Sequence, residues 1–196
     1  MQYATIGEMK IILAQGNPGT QYTNTRHNVG FIALDTLAAN LDGKWHSETK
    51  FRADIAEVHI NHEKVLLVKP KSFYNETGTV GRALIDFYKL DPSEDVLVIH
   101  DELALPFGTV RVREKGSDAG NNGIKSLNSH IGSDYFRIRV GIWNELRDRI
   151  DDANFVLSSF TQNEQEQLKE TIIPSIIKLV EQFVHGTLEA SSQKHL

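Results

Sequence analysis

The sequence contains no cysteine. That excludes disulfides, thiolate metal sites and a cysteine nucleophile, and it suits a reducing compartment. No apolar run reaches the ~20 residues that a bilayer-spanning helix needs. Met1 to Lys10 lacks the basic start and long apolar stretch of a secretory signal, so a cytoplasmic protein without a membrane partner is expected. Positive charge is also in short supply: 21 Lys and Arg stand against 26 Asp and Glu, a formal net charge of −5. That balance argues against nucleic-acid binding over the whole surface, and leaves room for one basic patch on an acidic body. RNA held by such a patch would be gripped through few phosphates, with a modest salt dependence. There is no internal repeat, linker or low-complexity block.

What is present fits one ordinary domain. The chain has 196 residues, of which 40% are hydrophobic and 24% charged, enough for a core that needs neither staple nor metal. Lys10 to Gln15 reads as a buried strand closed by the turn Gly16-Asn17-Pro18-Gly19. Val29 to Leu41 carries the spacing of an amphipathic helix, with Asp42-Gly43 as its stop. Phe51–Ile60 and Val65–Val68, separated around Asn61-His62, predict a hairpin. Thr77 to Leu90 reads as a helix stopped by Asp91-Pro92, and Val96–Ile99 as a strand buried on both faces. Thr109–Arg113 and Phe136–Ile142 alternate as strands. Between them a glycine-rich loop, 116–123, leads into a helix near Ile124–Ile131. Asn154–Phe160 is read as a last strand. Thr161 to Glu164 has the form of a capping box, opening a C-terminal helical region that Pro174 should kink or split. Strands alternating with helices predict a single-domain α/β fold with a mixed, twisted sheet flanked by helices. Residues 1–8 are read as an N-terminal extension, 9–186 as the domain, and 187–196 as a flexible tail.

Three polar clusters lie at or near strand ends, where sites collect in open α/β sheets. His27 sits in Thr25-Arg26-His27-Asn28, between the first turn and the first helix. The bland account is a capping neighbourhood with Asn28 as the cap; the functional one is a general base. His100-Asp101-Glu102 could bind a metal, cap a segment or orient a histidine, but no second ligand motif stands at metal spacing. A carboxylate on one imidazole nitrogen frees the other to accept a proton, so His27 and Asp101 are a candidate base–orienter pair. Asn17, Asn75, Asn121 and Asn122 stand in turn-like settings. They serve either the backbone or a substrate, since an uncharged amide offers both donors and acceptors. The glycine loop matches neither a P-loop nor a dinucleotide fingerprint. Arg111 and Arg113 share a strand face, as do Arg137 and Arg139. They are either solvated residues pairing with acids or a small phosphate clamp.

Taken in order, these segments resemble the bacterial peptidyl-tRNA hydrolase family. The stretches that carry the resemblance are Gly16–Gly19, Tyr22, Thr25–Gly30, Lys69–Asn75, His100–Leu103, Lys115–Ser126 and Arg137–Ile142. They span about residues 9–185. The resemblance implies His27 as general base and Asp101 as its orienter. It implies Asn17, Tyr22, Tyr74, Asn75, Asn121 and Asn122 around the substrate, and Arg113 and Arg139 on tRNA phosphate. It further implies a monomer that acts on peptidyl-tRNA without a cofactor or metal. Three departures stand out. Asn121 replaces the usual histidine of the glycine loop, Tyr74 replaces a methionine beside Asn75, and Trp143-Asn144-Glu145 replaces a more basic continuation. Gln15 replaces a small or apolar residue, a lesser change. Competing expectations are an RNA-binding relative with reduced catalysis and an esterase or amidase with another substrate.

Overall fold

The computed structural model describes residues 9–195, so the expected extension at 1–8 lies outside the described residues. Eight strands form one sheet: β1 (Lys10–Ala14), β2 (His46–Glu48), β3 (Ala53–Ile60), β4 (Glu63–Pro70), β5 (Val96–Pro106), β6 (Thr109–Lys115), β7 (Asp134–Trp143) and β8 (Ser192–Lys194). Their order is β2-β3-β4-β1-β5-β7-β6-β8. The central pairs β4–β1, β1–β5 and β5–β7 are parallel, and the flanking pairs are antiparallel. The helices are α1 (Val29–Asn40), α2 (Thr77–Tyr88), α3 (Pro92–Asp95), α4 (Asn122–Ile131), α5 (Asp152–Leu157), α6 (Gln162–Gln167) and α7 (Ile173–Val184).

Side chains alternate across a strand, so a strand covered on both faces is apolar throughout. In β1, Ile12 and Ala14 face a core with Leu34, Phe155, Leu179 and Phe183, under α1, α5 and α7. Ile11 and Leu13 face the other core with Leu84, Ile124, Leu127 and Tyr135, under α2 and α4. The expected hairpin is β3–β4, turned at Asn61 and His62, both with positive φ (49° and 73°) as a two-residue turn requires. Gly30 lets α1 approach the sheet. A Cβ there would stand 2.7 Å from the Ile99 carbonyl oxygen and 2.8 Å from that of Gln15.

Several expectations are corrected. Asn154–Phe160 is not a strand: residues 152–157 form α5, because the Asp151 side chain accepts from the Asn154 amide and nucleates a helix with Phe155 turned inward. The strand beginning at Val96 does not stop at Ile99. β5 runs to Pro106 and keeps pairing with β7 through Glu102 opposite Gly141, so His100-Asp101-Glu102 lies within the strand. The tail is not free over its length. β8 pairs with β6, the His195 amide donates to the Gly108 carbonyl at 2.7 Å, and Leu188 is buried. The exposed edge of β6 supplies the unpaired groups that hold it. The C-terminal helical region divides as expected: a single π turn (Leu168–Ile172) separates α6 from α7, and Pro174 occupies the first turn of α7, where its missing N–H is no loss. Among the described residues no helix is long and apolar enough to cross a membrane.

Candidate active site

His27 occupies a 3-10 turn, Arg26–Asn28, between β1 and α1. Both neighbours are fastened. The Arg26 guanidinium is fully buried and donates to the two Glu164 carboxylate oxygens at 2.9 and 2.8 Å and to Ser158 Oγ at 3.1 Å. The Phe155 and Phe160 rings lie 5.0 Å from its carbon. Glu164 also accepts from Asn144 Nδ2 (2.7 Å) and from the Thr161 amide (2.8 Å), completing the expected capping box at α6. Burial by itself would raise the Glu164 carboxyl, but the Arg26 and Thr161 hydrogen bonds outweigh it and hold the group below its usual range. On the other side, Asn28 does not cap α1. Its Oδ1 accepts from the Asn17 amide at 2.8 Å and its Nδ2 donates to the Asn17 carbonyl at 2.9 Å, so it clamps the turn after β1.

The imidazole so held has Nδ1 at 2.9 Å from Asp101 Oδ2. A carboxylate there selects the tautomer with the proton on Nδ1 and leaves Nε2 as the acceptor. Asp101 is 2% exposed, and its other oxygen, Oδ1, accepts from the Tyr74 hydroxyl at 2.5 Å. The Tyr74 ring lies flat against His27, with centroids 3.6 Å apart and an interplanar angle of 13°. Asn121 Nδ2 donates to the Tyr74 oxygen at 3.0 Å, while Asn121 Oδ1 caps α4 through the Ile124 amide at 3.0 Å. Asn17 Oδ1 accepts from the Tyr74 amide at 2.9 Å. Burial favours the neutral form of Asp101, but the His27 charge and hydrogen bond, with the Tyr74 hydroxyl, overcome it and keep the carboxyl below its usual range. Burial, together with Asp101, raises the Tyr74 phenol well above its ordinary value, so it stays protonated at neutral pH.

These groups line an open cleft of about 600 Å³ together with Asn17, Asn122, Leu103, Arg147, Val156 and Leu157. A second hollow of about 290 Å³ shares Asn17, His27, Tyr74 and Asn122 with it and adds Phe73 and Asn75, both exposed. A third, of about 210 Å³, adjoins the cleft at Glu102 and Ala119 and is lined by Arg113, Lys115, Arg137 and Arg139. Register explains the cluster: Arg111 lies opposite Arg139, and Arg113 opposite Arg137, on β6 and β7. Arg139 is tied to Glu102 through Nε (2.9 Å) and Nη2 (2.7 Å), and Arg113 donates to the Val112 carbonyl. His100 lines the same hollow, and burial pushes it down to about 4, so it is neutral there at physiological pH.

The structure thus brings His27, Asp101, Asn17, Tyr74, Asn121 and Asn122 to one cleft, sets Asn75 on the adjoining hollow, and gathers Arg113 and Arg139 in the basic one. Tyr22 lines none of the three; its carbonyl accepts from Thr25. Arg26, Asn28, Asn144 and Glu164 were not anticipated as parts of the site. The Thr161–Glu164 pattern was legible, but nothing local pairs Glu164 with Arg26. Among the described residues, no three His, Asp or Glu side chains group as metal ligands would.

A family model described as peptidyl-tRNA hydrolase matches residues 11–195. The chain belongs to the peptidyl-tRNA hydrolase family. It is 46% identical over 164 residues to the peptidyl-tRNA hydrolase of Fusobacterium nucleatum, covering 84% of each chain. It is 40% identical over 183 residues to that of Gloeobacter violaceus, covering 93% of this chain and 91% of the relative. The crystal structure of peptidyl-tRNA hydrolase from Acinetobacter baumannii superposes with a TM-score of 0.82 at 30% identity, over 93% of this chain and 92% of that one. A crystal structure of a peptidyl-tRNA hydrolase with N-propanol gives a TM-score of 0.83 at 29% identity, over 94% and 93% of the chains. The mixed sheet with helices on both faces is therefore the family fold.

Proposed function

We propose that this protein hydrolyses the ester joining a peptide to the 3′ ribose of tRNA, releasing free tRNA. It does so as a cytoplasmic monomer that uses no metal or cofactor. The observation that carries the mechanism is the His27 Nδ1–Asp101 Oδ2 contact of 2.9 Å on the wall of an open cleft. His27 Nε2 takes a proton from water as the water oxygen attacks the ester carbonyl. The tetrahedral oxyanion collapses, expelling the ribose 3′ oxygen, and the imidazolium returns its proton to that leaving oxygen. General-base help of this kind is worth about 10²- to 10⁴-fold. Among the described residues, Asn17 Nδ2 has no intramolecular partner, and it serves as a donor to the ester or oxyanion; one such donor contributes about 10²- to 10³-fold. Asn75 and Asn122 hold the peptide end of the substrate from the adjoining hollow. The Arg113–Arg139 cluster takes a tRNA phosphate; Arg113, Lys115 and Arg137 supply the net positive charge, because Arg139 is matched by Glu102.

The test is hydrolysis of N-blocked aminoacyl-tRNA by the wild type and by His27→Ala. Turnover by the wild type and its loss in the variant are expected. Wild-type tRNA binding without cleavage would mark a binding relative, and cleavage that survives the substitution would remove His27 from the mechanism.

A further inference from the structure

The family resemblance implies Tyr74 among the residues around the substrate. Its hydrogen-bonding atoms are otherwise employed. The residue is 4% exposed. Its hydroxyl hydrogen goes to Asp101 Oδ1 and its oxygen accepts from Asn121 Nδ2, so the phenol faces the protein rather than the solvent. The hydrogen can point only one way. Asn121 is itself oriented, because its Oδ1 is taken by the Ile124 amide; its Nδ2 must therefore be the group that meets the phenol oxygen, and the phenol must donate onward. The ring has a second engagement, lying flat on His27 at 3.6 Å. The backbone is cut to admit it: a Cβ on Gly123 would stand 2.4 Å from the ring.

We propose that Tyr74 is a positioning residue for the hydrolytic pair: its hydroxyl fixes the second oxygen of Asp101, its ring fixes the plane of His27, and Asn121 sets the direction of the hydroxyl. The inference rests on the base–orienter reading above and deepens it. A carboxylate held at one oxygen rotates about its Cβ–Cγ bond, whereas held at both it presents Oδ2 to His27 Nδ1 in one geometry. The hydroxyl also shares the carboxylate charge, which moderates how strongly Asp101 retains a proton on the imidazole. A phenol raised well above its ordinary range remains a donor throughout the working pH range. The other ionisable groups around His27 are few. Glu102 of β5 lines the same cleft, as do Arg147 and Asp152, which pair with each other, and Arg26 on the histidine's own turn is matched by Glu164.

The test is steady-state hydrolysis of N-blocked aminoacyl-tRNA between pH 5 and 9 by the wild type, Tyr74→Phe and Tyr74→Met. Phenylalanine keeps the stacked ring and removes the donor. We expect kcat to fall about three- to tenfold with KM within about twofold, and the acid limb of the kcat profile to move about half a unit to one unit to higher pH, because Asp101 then holds the imidazole proton more tightly. Methionine, which loses the ring as well, should lower kcat further. Over the pH range in which a variant stays folded, the midpoint of the acid limb does not depend on the amount of active enzyme, so it reads the inference even if the variant is less stable. An unchanged kcat and profile in Tyr74→Phe beside an inactive His27→Ala overturns this inference alone. A lower kcat with an unmoved acid limb also overturns it, since a purely structural tyrosine would give that result. Turnover surviving His27→Ala removes the base itself, and this inference with it.

Discussion

Glu164→Ala is a demanding test of how the His27 turn is held. Glu164 is 7% exposed and faces an Arg26 that is 0% exposed, through two hydrogen bonds of 2.9 and 2.8 Å. Removing the acid strands a guanidinium in a pocket walled by Phe155 and Phe160, at a cost of about 3–5 kcal/mol. The same change deletes the reciprocal half of the Thr161 capping box, worth about 1 kcal/mol. The sum, about 4–6 kcal/mol, is a large part of the 5–15 kcal/mol that holds a domain together. At about 2–4 °C per kcal/mol for a chain of this size, Tm should fall by roughly 10–20 °C. Thermal and urea unfolding measure this directly. Arg26→Met with Glu164→Leu should recover much of the loss, because two apolar side chains replace the pair without leaving a charge behind. A Glu164→Ala protein within about 1 kcal/mol of wild type would refute the reasoning; so would a double variant no more stable than the single one.

Further expectations follow from the same geometry. Gly30→Ala forces a Cβ against two backbone oxygens that cannot swing aside, so it should cost about 1–3 kcal/mol in urea unfolding; wild-type stability would contradict the close approach of α1 to the sheet. Asp101→Asn removes the acceptor that selects the Nδ1–H tautomer, and kcat should drop by about 10²- to 10⁴-fold with KM little changed. The Asp101 carboxyl is held below its usual range, so its stabilising effect is present above the unfolded value of about 3.9 and is lost as pH falls through the lower folded value. The wild type should therefore lose stability more steeply than Asp101→Asn below about pH 4, and parallel acid-unfolding curves would count against the pairing. Arg113→Ala should raise KM for tRNA substrates and flatten its dependence on salt by about one phosphate contact, while leaving kcat close to wild type; an unaltered salt slope would take Arg113 off the tRNA.

Much of the architecture could be read along the chain because its signals are local. The Asn61-His62 turn and the Thr161–Glu164 cap act over a few residues, and both stand as expected. The misreadings share a physical cause. The end of β5 is set by its neighbour β7, which pairs with it past Asp101, and no turn residue marks Ile99 as a stop. β8 exists because β6 has a vacant edge, which a polar Ser-Gln-Lys segment does not advertise. α5 was mistaken for a strand because its short apolar stretch fits either period, and the Asp151 cap decides. The site divides in the same way. His27 and Asp101 were visible as chemistry, 74 positions apart, but their contact depends on β1 and β5 being parallel neighbours. The environment of Tyr74 needed four other segments at once: the turn after β1 (Asn17), the turn before α1 (His27), β5 (Asp101) and the cap of α4 (Asn121).

The position of β1 also bears on the order of synthesis. This strand emerges first of the eight yet lies in the middle of the sheet, and its two partners are β4, beginning at Glu63, and β5, beginning at Val96. Until half the chain has been made, one edge of the apolar Ile11–Ala14 segment has no companion. Partly made chains of this protein therefore carry a bare, adhesive strand edge and cannot seat His27 against Asp101. Translation that stalls before β5 is made, upstream of Val96, would leave such fragments esterified to tRNA, and under the function proposed here they are substrates for a completed copy of the same protein.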